Sequence, residues 1–229
     1  MSDTIAQQRA EETRATFVAC NAILTNDHFV YISGQHGSGW IDKDAIFVEP
    51  QRIRRLTSLL ADAVRARGAE ILCGPATGGL IVAQWTAHAL GLPAVFTEHA
   101  ARPAAAGPAA ELRGNFVLRR GYDALVANRR VLIVDDVINS GHSLRQTAQA
   151  VRSAGGNVIG AAALVHRGNV DAAGIGVEYL DFLLEYDIAE WPAANCPLCQ
   201  QRVPVNCRYA HGQDFLKSQC APPAADTRS

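Results

Sequence analysis

The sequence predicts an α/β fold: a mainly parallel sheet flanked by helices. Three observations predict it. Val131-Leu132-Ile133-Val134 is a continuous aliphatic run of the kind found in strands buried on both faces. Apolar run, Gly-rich turn and helical pattern follow one another twice, over residues 71–90 and 131–153, as in repeated strand–helix units. With 229 residues, 48% of them hydrophobic, the chain can bury one large core without disulfide staples, so one main domain with small appendages is expected.

The elements follow in order. Ala15, Phe17, Val18, Ala22 and Ile23 recur at helical spacing and predict an opening amphipathic helix over 11–24, preceded by a frayed end over 1–8. A Gly-rich stretch comes next. Residues 51–67 read as a helix with Ile53, Leu56, Leu59, Leu60 and Val64 on one face and Gly68 as its stop. Ile71-Leu72-Cys73 is a short strand running into Gly74-Pro75-Ala76-Thr77-Gly78-Gly79, and a helix over 80–90 closes at Gly91. Residues 94–97 form another buried strand. The Ala-, Pro- and Gly-rich stretch 98–114 has little apolar periodicity and reads as a mobile loop. Beyond the 131–134 strand, a helix over 144–153 ends at Gly155-Gly156, residues 158–165 form one more buried strand, and 177–184 predict an edge strand. The tail 222–229 is expected to fray.

Bulk properties narrow the function. A formal net charge of -1 gives no general electrostatic reason to bind nucleic acid or an anionic membrane, so an anionic ligand must be held by local groups. The start carries Asp3, Glu11 and Glu12 and lacks the basic and apolar regions of a signal peptide. No apolar run approaches the roughly 20 residues a membrane-spanning helix needs. A cytoplasmic protein without membrane contact is the expectation, and its six scattered cysteines are then reduced thiols.

The chemistry concentrates at Asp135-Asp136-Val137-Ile138-Asn139-Ser140-Gly141-His142-Ser143, where a core strand delivers two adjacent carboxylates and a small-residue turn onto a helix start. In open parallel sheets ligands bind beyond the carboxyl ends of the strands. The backbone amides of Asn139, Ser140, Gly141, His142 and Ser143, backed by the helix dipole, can cradle a phosphate, with Ser140 and Ser143 adding hydroxyls. The carboxylates cannot hold phosphate, but they accept hydrogen bonds from sugar hydroxyls and suit a divalent cation. A sugar phosphate satisfies both halves of the motif. The alternative for Asp135 and Asp136 is a plain strand end and helix cap.

This segment resembles the signature of the type I phosphoribosyltransferases, which binds the ribose 5-phosphate of 5-phosphoribosyl 1-pyrophosphate (PRPP). Asn139 and Ser140 stand where that family commonly has two threonines, and His142 where a small residue is usual. Ala76, Thr77, Gly78 and Gly79 fall in the family's pyrophosphate loop. Gly78 occupies a place where many orotate-specific members carry a lysine, and the chain has only two lysines, Lys43 and Lys217. Residues 98–114 occupy the place of the family's flexible hood, with His99, Arg102 and Arg113 as its cations and His99 and Arg102 as its catalytic candidates.

Residues 29–44 resemble the N-terminal hood segment of orotate phosphoribosyltransferases. Trp40 and Ile41 align with residues that pack on the pyrimidine ring, Ile32 replaces a substrate-contacting lysine found in some members, and Lys43 offers a substitute cation for binding orotate. Arg167 in Leu164-Val165-His166-Arg167-Gly168 matches the arginine that orients orotate, a planar acid that suits a guanidinium fork.

The resemblance implies the type I phosphoribosyltransferase fold, with an N-terminal helix and hood over 1–50, the core over 51–188 and a Cys-containing tail over 189–229. It implies transfer of phosphoribosyl from PRPP to orotate with Mg2+, by a homodimer. A related enzyme for a purine or other base, and a non-catalytic ribose-phosphate-binding regulator, are the alternatives. Cys196 and Cys199, with Cys207 and His211, offer four ligands for a structural Zn2+, against free thiols in a packed tail. His28, His36, His88 and His166 have no partners at such spacing and read as surface or core residues.

Overall fold

The computed structural model describes residues 2–31, 33–100 and 115–220. It divides into two compact units, one of residues 1–20 and 43–187, the other of 21–42 and 188–229.

The larger unit is built on a six-stranded sheet. Its strands are β3 (Ile71–Pro75), β4 (Ala94–His99), β5 (Phe116–Leu118), β6 (Arg130–Ile138), β7 (Asn157–His166) and β8 (Leu180–Glu185), in the spatial order β5-β4-β3-β6-β7-β8. All neighbours are parallel except β4 and β5, which pair antiparallel through Thr97↔Leu118 and His99↔Phe116. Strand order reverses between β3 and β6, and such a switch point opens a crevice at the carboxyl ends of the two strands.

Helices cover both faces. The helices α1 (Ser2–Ala19), α3 (Pro50–Val64) and α4 (Gly78–Leu90) lie on one side, and α6 (His142–Ser153) on the other. The short helices α2 (Asp44–Phe47), α5 (Tyr122–Val126) and α7 (Ala172–Ile175) fill connections. On β6, Val131 and Ile133 join a buried cluster with Leu144, Ala148 and Val151 of α6, while the alternate residues Leu132 and Val134 are equally buried on the opposite face. This two-sided burial is why β6 lacks polar alternation in sequence.

The expected α3, β3, α4, β4, β6, α6 and β7 all form, and glycines with left-handed backbone, Gly68 and Gly91, follow the α3 segment and α4. Several boundaries differ. The opening helix is Ser2–Ala19, so residues 2–8 are helical and Ile23 and Leu24 instead begin a strand, since Asn21 turns the chain at φ 53. The edge strand β8 starts at Leu180, after a turn over Ile175 and Gly176. At the other edge β4 runs to His99, because the three residues of β5 pair with it; Ala100 N–H donates to Asn115 O at 2.8 Å beyond the pairing. So short a strand leaves no periodicity to read.

The smaller unit is a three-stranded antiparallel sheet, β1 (Ile23–Val30), β2 (Gln35–Ile41) and β9 (Glu190–Pro192), with the short helix α8 (Pro197–Gln200) and α9 (Gly212–Cys220). Phe29 and Tyr31 lie beside the Trp40 ring, with centroids 6.4 and 6.2 Å away.

Candidate active site

The crevice predicted by the switch point is where the acidic motif and the Gly-rich loop meet. Asp135 and Asp136 lie near the end of β6, which runs on to Ile138 because Val137 and Ile138 still pair with Val165 and His166 of β7. Both carboxylates are buried, and Oδ1 of each accepts from the next backbone N–H, Asp136 N at 2.9 Å and Val137 N at 2.6 Å. The loop after β3, with a cis peptide between Ala76 and Thr77, passes directly over them. A Cβ on Gly78 would occupy the space of Asp136 Oδ2, and one on Gly79 would stand 2.8 Å from Asp135 Oδ1. Glycine at both positions is thus a steric requirement of the close approach.

Among the described residues, Lys43 brings a cation to this pair. Lys43 Nζ lies 3.0 Å from Asp136 Oδ2 and 3.7 Å from Asp44 Oδ1. Burial draws the Lys43 ammonium's pKa down, but the charge and hydrogen bond of Asp136 outweigh it, so the net shift is upward. Asp135 is pushed well above the usual carboxylate range, by burial first and then by the neighbouring Asp136 charge. Two adjacent buried carboxylates with one lysine form a site short of positive charge, ready for a divalent cation or for hydroxyl donors.

The turn expected to cradle a phosphate follows directly on β6. Asn139 and Ser140 are exposed, Gly141 turns the chain at φ 69 as the N-cap of α6, and His142 and Ser143 open that helix. The turn thus leads into the N-terminus of a 12-residue helix, whose first-turn amides stand outside the helix's own hydrogen-bond ladder. Arg167, directly after β7, is 3% exposed. Its backbone N–H donates to Ile138 O at 2.7 Å, so it adjoins the phosphate turn.

The remaining described candidates belong to other elements. His99 ends β4, exposed, with its ring 4.3 Å from Phe116. Its neighbour Glu98 is ion-paired with Arg120, whose hydrogen bond and then charge hold that carboxyl below its ordinary pKa. Arg102, Arg113 and Ile32 lie outside the described residues. Trp40 and Ile41 belong to β2 of the smaller unit, Trp40 half-buried and Ile41 buried.

The cysteines of the tail assemble differently from the sequence reading. Cys196 and Cys199 are not gathered with Cys207 and His211 but with His28 and His36, the four ligand atoms lying within 4.8 Å of one another. Cys207 is exposed with its Sγ 3.5 Å from Val205 O, and His211 Nδ1 faces Asp214 at 3.8 Å. His28 and His36 escaped the sequence reading because the β1–β2 hairpin, unrecognised there, is what makes them neighbours. The available signal was two histidines flanking a Ser-Gly turn.

Comparison with known proteins agrees with this geometry. The phosphoribosyl transferase domain model matches residues 42–172, more than half of the chain. The orotate phosphoribosyltransferase of Desulforamulus reducens is 32% identical over 195 residues, covering 85% of this chain and 94% of that protein. That of Pelotomaculum thermopropionicum is 34% identical with the same coverage. Among solved structures, the orotate phosphoribosyltransferase of Aeropyrum pernix superposes with TM-score 0.58 at 23% identity, over 74% of this chain and 90% of that one, a likeness of fold. The chain therefore belongs to the phosphoribosyltransferase family and, within it, to the orotate phosphoribosyltransferases.

Proposed function

We propose that this enzyme transfers the phosphoribosyl group of PRPP to orotate, giving orotidine 5'-phosphate and pyrophosphate. The observation that carries the reading is the crevice in which Gly78 and Gly79 lie against Asp136 and Asp135 at the switch point. In it, Asp135 and Asp136 accept hydrogen bonds from the ribose hydroxyls. The amides and hydroxyls of Asn139, Ser140, Gly141, His142 and Ser143 hold the 5-phosphate, and Ala76, Thr77, Gly78 and Gly79 face the pyrophosphate.

The orotate nitrogen displaces pyrophosphate at the anomeric carbon, through a transition state with oxocarbenium character as in glycosyl transfer. Two adjacent buried carboxylates next to a phosphate cradle suit Mg2+, which takes oxygen ligands from one or two carboxylates and from substrate phosphates. When bound, the ion neutralises charge on the leaving pyrophosphate. Lys43, on Asp136, supplies a cation beside the loop, where Gly78 has none of its own. Arg167 pairs with the orotate carboxylate, and Trp40 and Ile41 pack on the pyrimidine. His99, Arg102 and Arg113 bring positive charge to the leaving group. Positioning and electrostatics supply the rate.

The wider reading is a cytoplasmic homodimer in which each hood serves a neighbouring site. It rests on the family resemblance; no helix among the described residues is long and apolar enough to cross a membrane. The test is pyrophosphate release with PRPP, Mg2+ and, separately, orotate, uracil, hypoxanthine, xanthine and adenine. Turnover with orotate alone is expected. Turnover with a purine instead overturns the base assignment, and PRPP binding without turnover overturns the catalytic reading.

A further inference from the structure

We propose that His28, His36, Cys196 and Cys199 form a structural zinc site that ties the β1–β2 hairpin to the C-terminal segment. Nothing in the phosphoribosyl transfer chemistry uses these four residues. The inference is independent of the proposed substrate.

The backbone brings them together by register. Val30 pairs with His36 and Phe29 with Gly37 across the hairpin, and His28 stands just before these pairs, where the register shifts, with its ring centroid 4.9 Å from that of His36. The opposing pair comes from a single turn of chain. Cys196 is the N-cap of α8 and Cys199 lies within that helix, so a Cys-x-x-Cys turn presents both sulfurs to one side. That spacing is a common zinc half-site, here completed by a histidine pair rather than by later residues.

Distances fit one ion. Cys196 Sγ is 3.6 Å from His28 Nε2, and Cys199 Sγ is 3.8 Å from His28 Nε2 and 3.4 Å from His36 Nδ1. Tetrahedral zinc with Zn–N of about 2.0–2.1 Å and Zn–S of about 2.3 Å requires N···S edges of about 3.5–3.6 Å. His28 Nε2 and His36 Nδ1 are 2.8 Å apart. An N···N edge of about 3.3 Å follows from the same bond lengths, so a half-ångström opening admits the ion. The orienting hydrogen bond is already present: the other ring nitrogen of His28, Nδ1, is 2.8 Å from Val203 O, which as acceptor fixes the tautomer that leaves Nε2 as ligand. The His36 ring is held edge-on by Phe215 at 4.9 Å.

Charge and packing agree with zinc. His28, His36 and Cys196 are buried, and two thiolates with two neutral imidazoles around a divalent ion sum to zero, the arrangement a buried site tolerates. Binding releases two thiol protons to solvent. Four protein ligands leave no open position, which makes the site structural rather than catalytic. The smaller unit has reason to need it: residues 193–211 contain only a 3-10 turn and the four-residue α8 as helix, so little regular structure anchors them. A metal staple supplies what a small core cannot.

The full-length protein, purified without chelator, is expected to carry one zinc per chain by elemental analysis. After removal of zinc, Co2+ alone is expected to give the visible spectrum of a tetrahedral ion with thiolate charge-transfer bands, displaced by Zn2+. Cys199→Ser, at the exposed ligand, is expected to lose at least tenfold in cobalt affinity, whereas Cys207→Ser retains full stoichiometry. A wild-type protein that takes up neither Zn2+ nor Co2+ at micromolar concentration overturns the proposal. So does an octahedral cobalt spectrum, or loss of metal in Cys207→Ser as complete as in Cys199→Ser. The wild-type spectrum decides the matter even if a ligand variant fails to fold.

Discussion

Lys43 Nζ lies 3.0 Å from Asp136 Oδ2 and equally 3.0 Å from the point where a Cβ on Gly78 would stand. The ammonium therefore occupies the neighbourhood from which a side chain at position 78 would have projected. In the proposed reaction Lys43 is the crevice's own cation, and Lys43→Met is expected to raise the KM for PRPP and lower kcat/KM by roughly 10- to 1,000-fold, while Lys43→Arg restores part of it. Steady-state kinetics with each substrate varied checks this. The sign of its stability effect follows from the upward shift: the contribution is full below the ordinary lysine value of 10.5 and is lost as pH rises through the higher folded value.

Gly78→Ala tests the close approach. Its methyl must displace the Asp136 carboxylate or the loop, and a misplacement of about 1 Å can cost roughly 100-fold in rate. A loss of that order in kcat/KM with an unchanged circular dichroism spectrum is expected; wild-type kinetics would mean that loop and carboxylate do not meet.

Asp135 carries the opposite stability sign from a paired carboxylate. Because its folded pKa is raised by burial and by Asp136, the ionised form is a cost to the ligand-free fold, and stability contributed by this group increases as pH falls through the raised value toward the ordinary 3.8. Asp135→Asn is therefore expected to raise the melting temperature of the free enzyme, at about 2–4 °C for each kcal/mol, while reducing turnover at least 100-fold. On the acid side, the wild-type KM for PRPP is expected to rise at a pH above the usual carboxylate range. A lower melting temperature for Asp135→Asn would contradict the account.

Arg167 is expected to act on the base. Arg167→Ala should raise the KM for orotate at least tenfold and change that for PRPP by less than threefold, and Arg167→Lys should recover little, since a point charge lacks the two-pronged geometry. Initial rates at saturating PRPP decide it. Equal effects on both substrates would place Arg167 with the phosphate turn it adjoins.

Thiol accessibility offers a test of the core. Burial pushes the Cys73 thiol up to about 12, so at pH 8 it is expected to react with a thiol reagent only on unfolding, whereas exposed Cys207 reacts at once. Peptide mapping of the labelled protein separates the two. Prompt labelling of Cys73 would mean that β3 is not at the centre of the sheet.

Where a physical signal was local, the sequence showed it. The uninterrupted aliphatic run of β6, the Gly stops of α3 and α4, and the acidic pair followed by a small-residue turn are all readable within a dozen residues. Long-range pairings were not. β5 is three residues long and exists because β4 offers an edge, and β9 pairs with β2 across most of the chain. Lys43 was legible as a cation, but its place on Asp136 depends on folding that joins residues 93 positions apart. The histidine–cysteine cluster failed for the same reason, since Cys196 and Cys199 gave half a site and the other half lay in a hairpin distant in sequence. Local patterns thus supplied the frame and the carboxylates, and tertiary contacts selected which cations and ligands join them.

The most direct measurement is orotate-dependent pyrophosphate release by the wild-type enzyme and by the Asp135→Asn/Asp136→Asn double variant, side by side with PRPP and Mg2+. Turnover in the wild type and a loss of at least 1,000-fold in a folded double variant are the predicted result. A double variant that keeps the wild-type rate would remove the carboxylate pair from the reaction and contradict the account.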